Sequence, residues 1–182
     1  MRIISGSHKS KRITAPKNLP VRPTTDMAKE SLFNILNNRY YFDEISVLDL
    51  FSGTGNISYE FASRGTQQIL SVDKNFHCIR FIEQTANELG FDAIHPIQVD
   101  VFEFLKKHKQ KYDIIFADAP YDMEGLNEII QLVFNHDILS EFGMLIIEHP
   151  KEQSFEEEIN FTERRRYGNV NFSFFEHPKT DE

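Results

Sequence analysis

One stretch constrains this chain more than any other: Val47-Leu48-Asp49-Leu50-Phe51, followed by Ser52-Gly53-Thr54-Gly55-Asn56-Ile57. Its first five residues are an apolar run broken by a single acid, the pattern of a strand buried on both faces of a parallel sheet. A Ser-Gly-Thr-Gly turn follows, and the spacing of Ile57, Phe61 and Ala62 predicts a helix from Asn56 onward. Strand, glycine turn and helix together present backbone N–H groups and a helix N-terminus to a ligand, as doubly wound α/β folds do. Gly53 and Gly55 permit positive φ and leave no Cβ between backbone and ligand. The pattern reads G-x-G-x-x-S, with Ser58 where a dinucleotide fingerprint carries its third glycine. Asp49 adds a second constraint, because an acid inside an apolar strand is costly unless it binds something. A carboxylate there repels a pyrophosphate and suits a cationic amino-acid ligand. The turn, with Phe51 and Thr54 beside the glycines, therefore favours S-adenosylmethionine over NAD.

The alternation around this turn sets the fold class. Strands are expected at 46–51, 68–72, 94–99, 112–117 and 143–148, and helices at 56–64, 76–89, 100–107 and 124–134. Asn75 is placed to cap the helix over 76–89, and Gly90 to end it. Upstream, Thr24, Thr25 and Asp26 offer N-caps for a helix running to about Asn37. Downstream, 161–167 and 170–176 alternate in the β manner around Gly168-Asn169, an antiparallel hairpin. The 182 residues, 40% of them hydrophobic, suffice for one packed domain. The expectation is an α/β chain with a single doubly wound, mostly parallel sheet, Rossmann-like, with a terminal antiparallel hairpin and a short N-terminal β-hairpin. Residues 1–23 form the basic hairpin and connector, and 24–182 the main domain.

Ligands of such sheets bind at the carboxyl ends of the strands. Asp49, Asp73, Asp100 and Asp118 each stand at or next to such an end. Asp73, with Lys74 beside it, lies 24 positions after Asp49 and suits the ribose hydroxyls of a nucleoside cofactor. Asp100 suits an adenine amino group, with Val101 or Phe102 against the ring, and it is equally well placed to cap the helix after it. Asp118-Ala119-Pro120-Tyr121 follows the strand Ile114-Ile115-Phe116-Ala117 and emerges at the same rim. Pro120 pushes Ala119 into an extended conformation, which holds its carbonyl exposed. Asp118 supplies a second acceptor and Tyr121 a flat face for a base. Two acceptors and a ring are what an exocyclic amino group needs for its lone pair to be freed for in-line attack on a methyl.

The net charge of −8 argues against nucleic acid until its distribution is read. Residues 1–30 hold Arg2, Lys9, Lys11, Arg12, Lys17, Arg22 and Lys29 against Asp26 and Glu30, a local +5 that leaves −13 for the rest. A basic arm on an acidic body suggests a polyanion partner. Cys78, the single cysteine, can form no internal disulfide and reads as a small core residue. No apolar run reaches the length of a membrane span, and Met1-Arg2-Ile3-Ile4-Ser5-Gly6 lacks a signal-peptide core, so a cytoplasmic protein is expected. The seven histidines show no ligand spacing, so no metal site is expected.

With these residues in view the chain resembles the RsmD family of methyltransferases. The resemblance rests on Arg22-Pro23-Thr24-Thr25-Asp26, on Lys29-Glu30-Ser31-Leu32-Phe33-Asn34 and on Asp49-Leu50-Phe51-Ser52-Gly53-Thr54-Gly55, and extends from Met1 to Arg166-Tyr167-Gly168 and the final hairpin. It implies a class I fold using S-adenosylmethionine to methylate the N2 amino group of a guanine in 16S rRNA, within a partly assembled 30S particle. It also implies that the segment from Arg22 to Asp26, Thr25 included, lies near the methionine end of the cofactor. Asp118, Ala119, Pro120 and Tyr121 match the family's fourth motif, in which Ala119 replaces a usual proline. RNA contacts are expected from Arg2, Lys9, Lys11, Arg12 and Arg22. The motif alone also admits adenine N6 as target, or a non-catalytic RNA-binding assembly factor that keeps the cofactor fold; Asp49 and the missing third glycine weigh against an NAD-dependent oxidoreductase.

Overall fold

The computed structural model describes residues 1–19 and 24–178. Seven strands form one sheet: β1 Ser46–Leu50, β2 Gln68–Asp73, β3 Ile94–Gln98, β4 Tyr112–Asp118, β5 Leu139–His149, β6 Phe161–Tyr167 and β7 Val170–Phe175. The helices are α1 Asp26–Asn37, α2 Asn56–Ser63, α3 Phe76–Leu89, α4 Val101–Lys107 and α5 Leu126–Asn135. Strand order is β3-β2-β1-β4-β5-β7-β6. β1 to β5 run parallel, and β7 enters antiparallel between β5 and β6. The order reverses at β1, between β2 and β4, so the crevice of this sheet opens above the carboxyl ends of β1 and β4.

Alternate side chains of each strand feed two cores. Val47, Ile69, Ile114, Phe116 and Ile146 pack beneath Leu32, Phe33 and Leu36 of α1, Phe61 of α2 and Ile82 of α3. Leu48, Leu50, Ile115, Ala117 and Ile147 pack beneath Leu105 of α4 and Ile129 and Val133 of α5. The caps are local and specific. Thr25 Oγ1 accepts from Ala28 N, Asn75 Oδ1 from His77 N and Cys78 N, and Asp100 Oδ1 from Phe102 N and Glu103 N. Gly90 ends α3 in the left-handed region at φ 67°. No helix among the described residues is long and apolar enough to cross a membrane.

Three departures from the expected pattern exceed a single residue. The helix predicted from 124 begins at Leu126, because Gly125 stands at φ 93°, where a right-handed helix cannot start. β5 begins at Leu139, ahead of Gly143, where Leu139 pairs Tyr112 across a register shift in the β4 partner. The N-terminal hairpin is reduced to one antiparallel bridge, Arg2 to Arg12, tied by Ile3 N–H to Lys11 O and Ile13 N–H to Met1 O. Its Ile3 and Ile13 are buried in the α1–α2–α3 core, so packing rather than a ladder holds it.

Candidate active site

Above the carboxyl ends of β1 and β4 lies a cleft of about 370 Å³. The loop after β1 makes its floor. Phe51 leaves the strand at φ 56°, a conformation strained for an aromatic residue, and its ring meets Phe102 edge-on at 6.5 Å. Phe51, Ser52, Gly53 and Thr54 line the cleft. Gly55 does not. It closes the turn instead, its N–H on Ser52 O at 2.8 Å, and at φ 83° an added Cβ would stand 2.8 Å from the Tyr59 ring.

Asp73 ends β2 in the cleft wall. Its Oδ2 accepts from Gly53 N at 2.9 Å and its Oδ1 from Asn75 N at 2.8 Å. One carboxylate thus fixes both the glycine turn and the start of α3, and each oxygen keeps a lone pair for a ligand hydroxyl. Asp49 is 2% exposed and accepts from Ser58 Oγ at 2.5 Å. Burial pushes its carboxyl up to about 7 and Asp73 adds repulsion, against the Ser58 hydrogen bond that pulls it down. Ser52 Oγ is buried in the same floor and has no hydrogen-bond partner among the described residues. An acid held at the edge of ionisation, a ribose-type acceptor and an orphaned hydroxyl fit a nucleoside cofactor with a cationic end.

The opposite wall is Asp118, Ala119, Pro120, Tyr121 and Met123. Loss of solvation raises the Asp118 carboxyl well above the usual range, followed by the negative charges of Glu148 and Asp49. Tyr121 is 44% exposed, whereas Ala119 is only 4% exposed. Ala119 is less open than expected: it lines the cleft but is sunk into its wall, beside the Pro120 and Tyr121 turn that Met123 N–H closes on Pro120 O at 2.9 Å.

Other expected site residues distribute differently. Lys74 lines the cleft, and so do Thr24, Asn56 and Cys78. Thr25 faces away as the cap of α1, so Thr24 takes the place expected of it. Asp100 spends its Oδ1 on the cap of α4 and Val101 is buried in the core beneath, so neither lines the cleft. Burial of Cys78 pushes its thiol up to about 11, which leaves it unreactive.

Behind the cleft a buried polar cluster connects α1, α2 and the N-terminus. Lys29, 0% exposed, donates to Arg2 O at 2.6 Å and Asn56 Oδ1 at 2.8 Å, and pairs with Glu60 at 3.3 Å. Glu60 also accepts from Ile4 N, Ser5 N and Arg64 Nε. Asn56 Nδ2 donates to Thr24 O, and Thr24 Oγ1 to Glu148 Oε2 at 2.6 Å. Glu148 stands opposite Asp118 in the β4–β5 register and is 3% exposed. The sequence patterns point to neither Glu60 nor Glu148, and to Lys29 only as a cation of the arm and a member of the Lys29–Asn34 stretch. Their signals were present: Lys29 falls on the apolar stripe Ala28, Leu32, Phe33, Leu36, Glu60 interrupts Tyr59-Phe61-Ala62, and Glu148 ends an apolar strand as Asp49 does.

The basic hairpin lies along α2. Its root touches the glycine loop, with Thr54 Oγ1 3.8 Å from Met1 Sδ, and its tip packs on the far end, with Ser7 N–H on Ser63 O and His8 edge-on to Phe91. Eight residues of helix put about 12 Å between the two ends. Lys9, Lys11 and Arg12 are exposed along it. Among the described residues, two of the arm's cations are not free: Lys29 is buried on Glu60, and Arg2 pairs with Asp26 at 3.0 Å. Arg22 lies outside the described residues.

Known proteins are similar to this chain in sequence and in fold. The family described as conserved hypothetical protein 95 matches residues 1–176. A ribosomal RNA small subunit methyltransferase D of Buchnera aphidicola subsp. Acyrthosiphon pisum is 32% identical over 164 residues, covering 88% of this chain and 83% of the relative. A solved structure of a hypothetical protein from Thermus thermophilus superposes with a TM-score of 0.85 at 24% identity, over 97% and 99% of the two chains. The ribosomal protein L11 methylase of Lactobacillus delbrueckii subsp. bulgaricus shares the architecture at a TM-score of 0.64 and 18% identity, over 85% and 81%. The fold is thus the Rossmann-like class I methyltransferase fold, and the chain belongs to the conserved hypothetical protein 95 family, the RsmD family that its motifs resemble.

Proposed function

We propose that this protein is an S-adenosylmethionine-dependent rRNA methyltransferase that modifies the exocyclic N2 of a guanine in 16S rRNA. One observation carries the reading: Asp118, Ala119, Pro120 and Tyr121 share a single cleft with Asp49, Gly53 and Asp73, so a base and a nucleoside cofactor can meet there. The name of the Buchnera relative supports ribosomal RNA of the small subunit as substrate. S-adenosylmethionine, when bound, supplies an electrophilic sulfonium methyl. Asp73 holds the ribose hydroxyls, Asp49 faces the cationic end, and Ser52 Oγ completes the floor. Asp118 and the Ala119 carbonyl accept from the target amino group and free its lone pair, while Tyr121 stacks on the base. Lys9, Lys11 and Arg12 take phosphates of a partly assembled 30S particle in the cytoplasm. No step in this chemistry requires a metal, and no group of metal-ligating side chains occurs among the described residues.

The test is to incubate the protein with labelled S-adenosylmethionine and small ribosomal subunits from cells lacking it, then map the label. Label on a guanine N2 is the expected result. Label on an adenine N6 would replace the target, and no label would favour a non-catalytic assembly factor.

A further inference from the structure

Glu148, a carboxylate that the sequence pattern passed over, is buried beside Asp118 at the back of the cleft. It is 3% exposed at the end of β5, opposite Asp118 in the parallel register, so the two side chains leave the same face of strands about 4.8 Å apart. Two buried acids side by side are costly to fold around. The surroundings decide which of them carries the charge. Thr24 Oγ1 donates to Glu148 Oε2 at 2.6 Å. Thr24 is held in turn by Asn56 Nδ2 on its carbonyl at 3.1 Å, and Asn56 by Lys29 Nζ at 2.8 Å. Glu148 is therefore the member of the pair whose anion is stabilised, at the end of a relay that starts on a buried ammonium.

We propose that Glu148 is a positioning residue for the methyl transfer: fixed by Thr24 and facing Asp118, it makes Asp118 the group that receives the proton lost by the target amine. This rests on the function proposed above. The amine's lone pair forms the new N–CH3 bond as the S–CH3 bond breaks and its electron pair stays on sulfur. The nitrogen then sheds one proton, whose N–H bonding pair returns to it, and Asp118 Oδ takes the proton. An ordinary aspartate would be a poor acceptor, and an anion on the neighbouring strand makes it a better one.

The charges around Asp118 agree. β1 presents Asp49, itself facing Asp73, and β5 presents Glu148, so the neighbours named on three strands are negative. Lys29 reaches only as far as Asn56. His149, next to Glu148 on the chain, turns to Ser173 Oγ and Pro150 O. Arg165 stands beyond Phe172 in the same register row and is occupied by Glu163 at 2.7 Å.

Carboxyl-labelled aspartate NMR on the ligand-free protein tests the pair without any activity. Glu148→Gln keeps the Thr24 contact and removes the charge, and should move the Asp118 titration to lower pH by about one unit or more. Thr24→Val removes the donor that fixes the anion on Glu148 and should move Asp118 in the same direction by less. In single-turnover transfer to the ribosomal particle, the acidic limb of the Glu148→Gln rate profile should move with it. An unmoved Asp118 titration in a folded Glu148→Gln protein overturns the proposal. So does a rate lowered equally at every pH, which is what a merely structural role predicts. Absence of transfer by the wild-type protein would instead remove the reading of function, while the titration alone still decides whether the carboxylates act as a pair.

Discussion

The cleft and the α1–α2 junction behind it both bury charge, and they treat it in opposite ways. At the junction every charge is answered. Glu60 takes Lys29, Arg64 and two backbone N–H groups; burial lowers the Lys29 ammonium, and Glu60 opposes that in part. In the cleft, Asp49 has the hydroxyl and backbone N–H of Ser58 but no cation among the described residues, and a negative neighbour, and Asp118 has two negative neighbours. Answered charge is structural: it locks helices and terminus into one arrangement. Under the function proposed above, unanswered charge is left for something that arrives from outside, a cation for Asp49 and an N–H donor for Asp118.

The contrast can be broken from either side. The largest effect is expected at the junction. Glu60→Ala strands Lys29 and Arg64 beside two unmet N–H groups, and should cost about 3–5 kcal/mol of stability. Urea unfolding that shows a loss under about 1 kcal/mol would mean the cluster relaxes into water. Asp118→Ala should do the reverse, leaving unfolding and cofactor affinity nearly unchanged while lowering single-turnover methyl transfer roughly 10²–10³-fold. Near-wild-type transfer would rule Asp118 out as the acceptor. Asp73→Ala should weaken S-adenosylmethionine binding by about 1–3 kcal/mol in calorimetry, and unchanged affinity in a folded variant would remove its role.

Asp49 sharpens the comparison through pH. Its carboxyl stands at about 7 in the fold against an ordinary 3.8, so the folded chain holds this proton more tightly than the unfolded one. Its contribution to stability is full below about pH 3.8, declines as pH rises towards 7 and is level above that. A cationic ligand prefers the ionised form, so cofactor binding should tighten up to about tenfold per unit as pH rises towards 7. Asp49→Asn should flatten both profiles. The smallest effect belongs to the arm: replacing Lys9, Lys11 and Arg12 should reduce the slope of log K against log[salt] by about 0.7–0.9 per lost phosphate contact, without changing cofactor affinity. An unaltered slope would leave the arm merely solvated.

What the sequence disclosed followed the range of the interactions involved. Asn75, Gly90 and the Asp100 cap are decided within a few residues of themselves, and the helices they bound stand where the pattern put them. The parallel strands follow from apolar runs, and the cleft from the residues that end them. The misses are pairs that only the fold makes. Lys29 and Glu60 are far apart in the chain, and each looks like a solvated residue until the other is packed against it. Glu148 gains meaning from Asp118 across a register that no periodicity announces. Thr24 and Thr25 are chemically alike, and only the helix phase sends one to the cleft and the other to the cap.

The attachment of the N-terminus to Glu60 also orders events in time. Ile4 and Ser5 hydrogen-bond to a side chain 56 and 55 positions further on, and Lys29 grips Arg2 O only when it is itself held by α2. Residues 2–5 therefore have no docking partner until α2 has been synthesised and packed. Closing so long a loop is an entropic cost met late, after the local helices have formed. The segment before α1 thus depends for its place on an element more than fifty residues further along, and it docks next to the glycine loop.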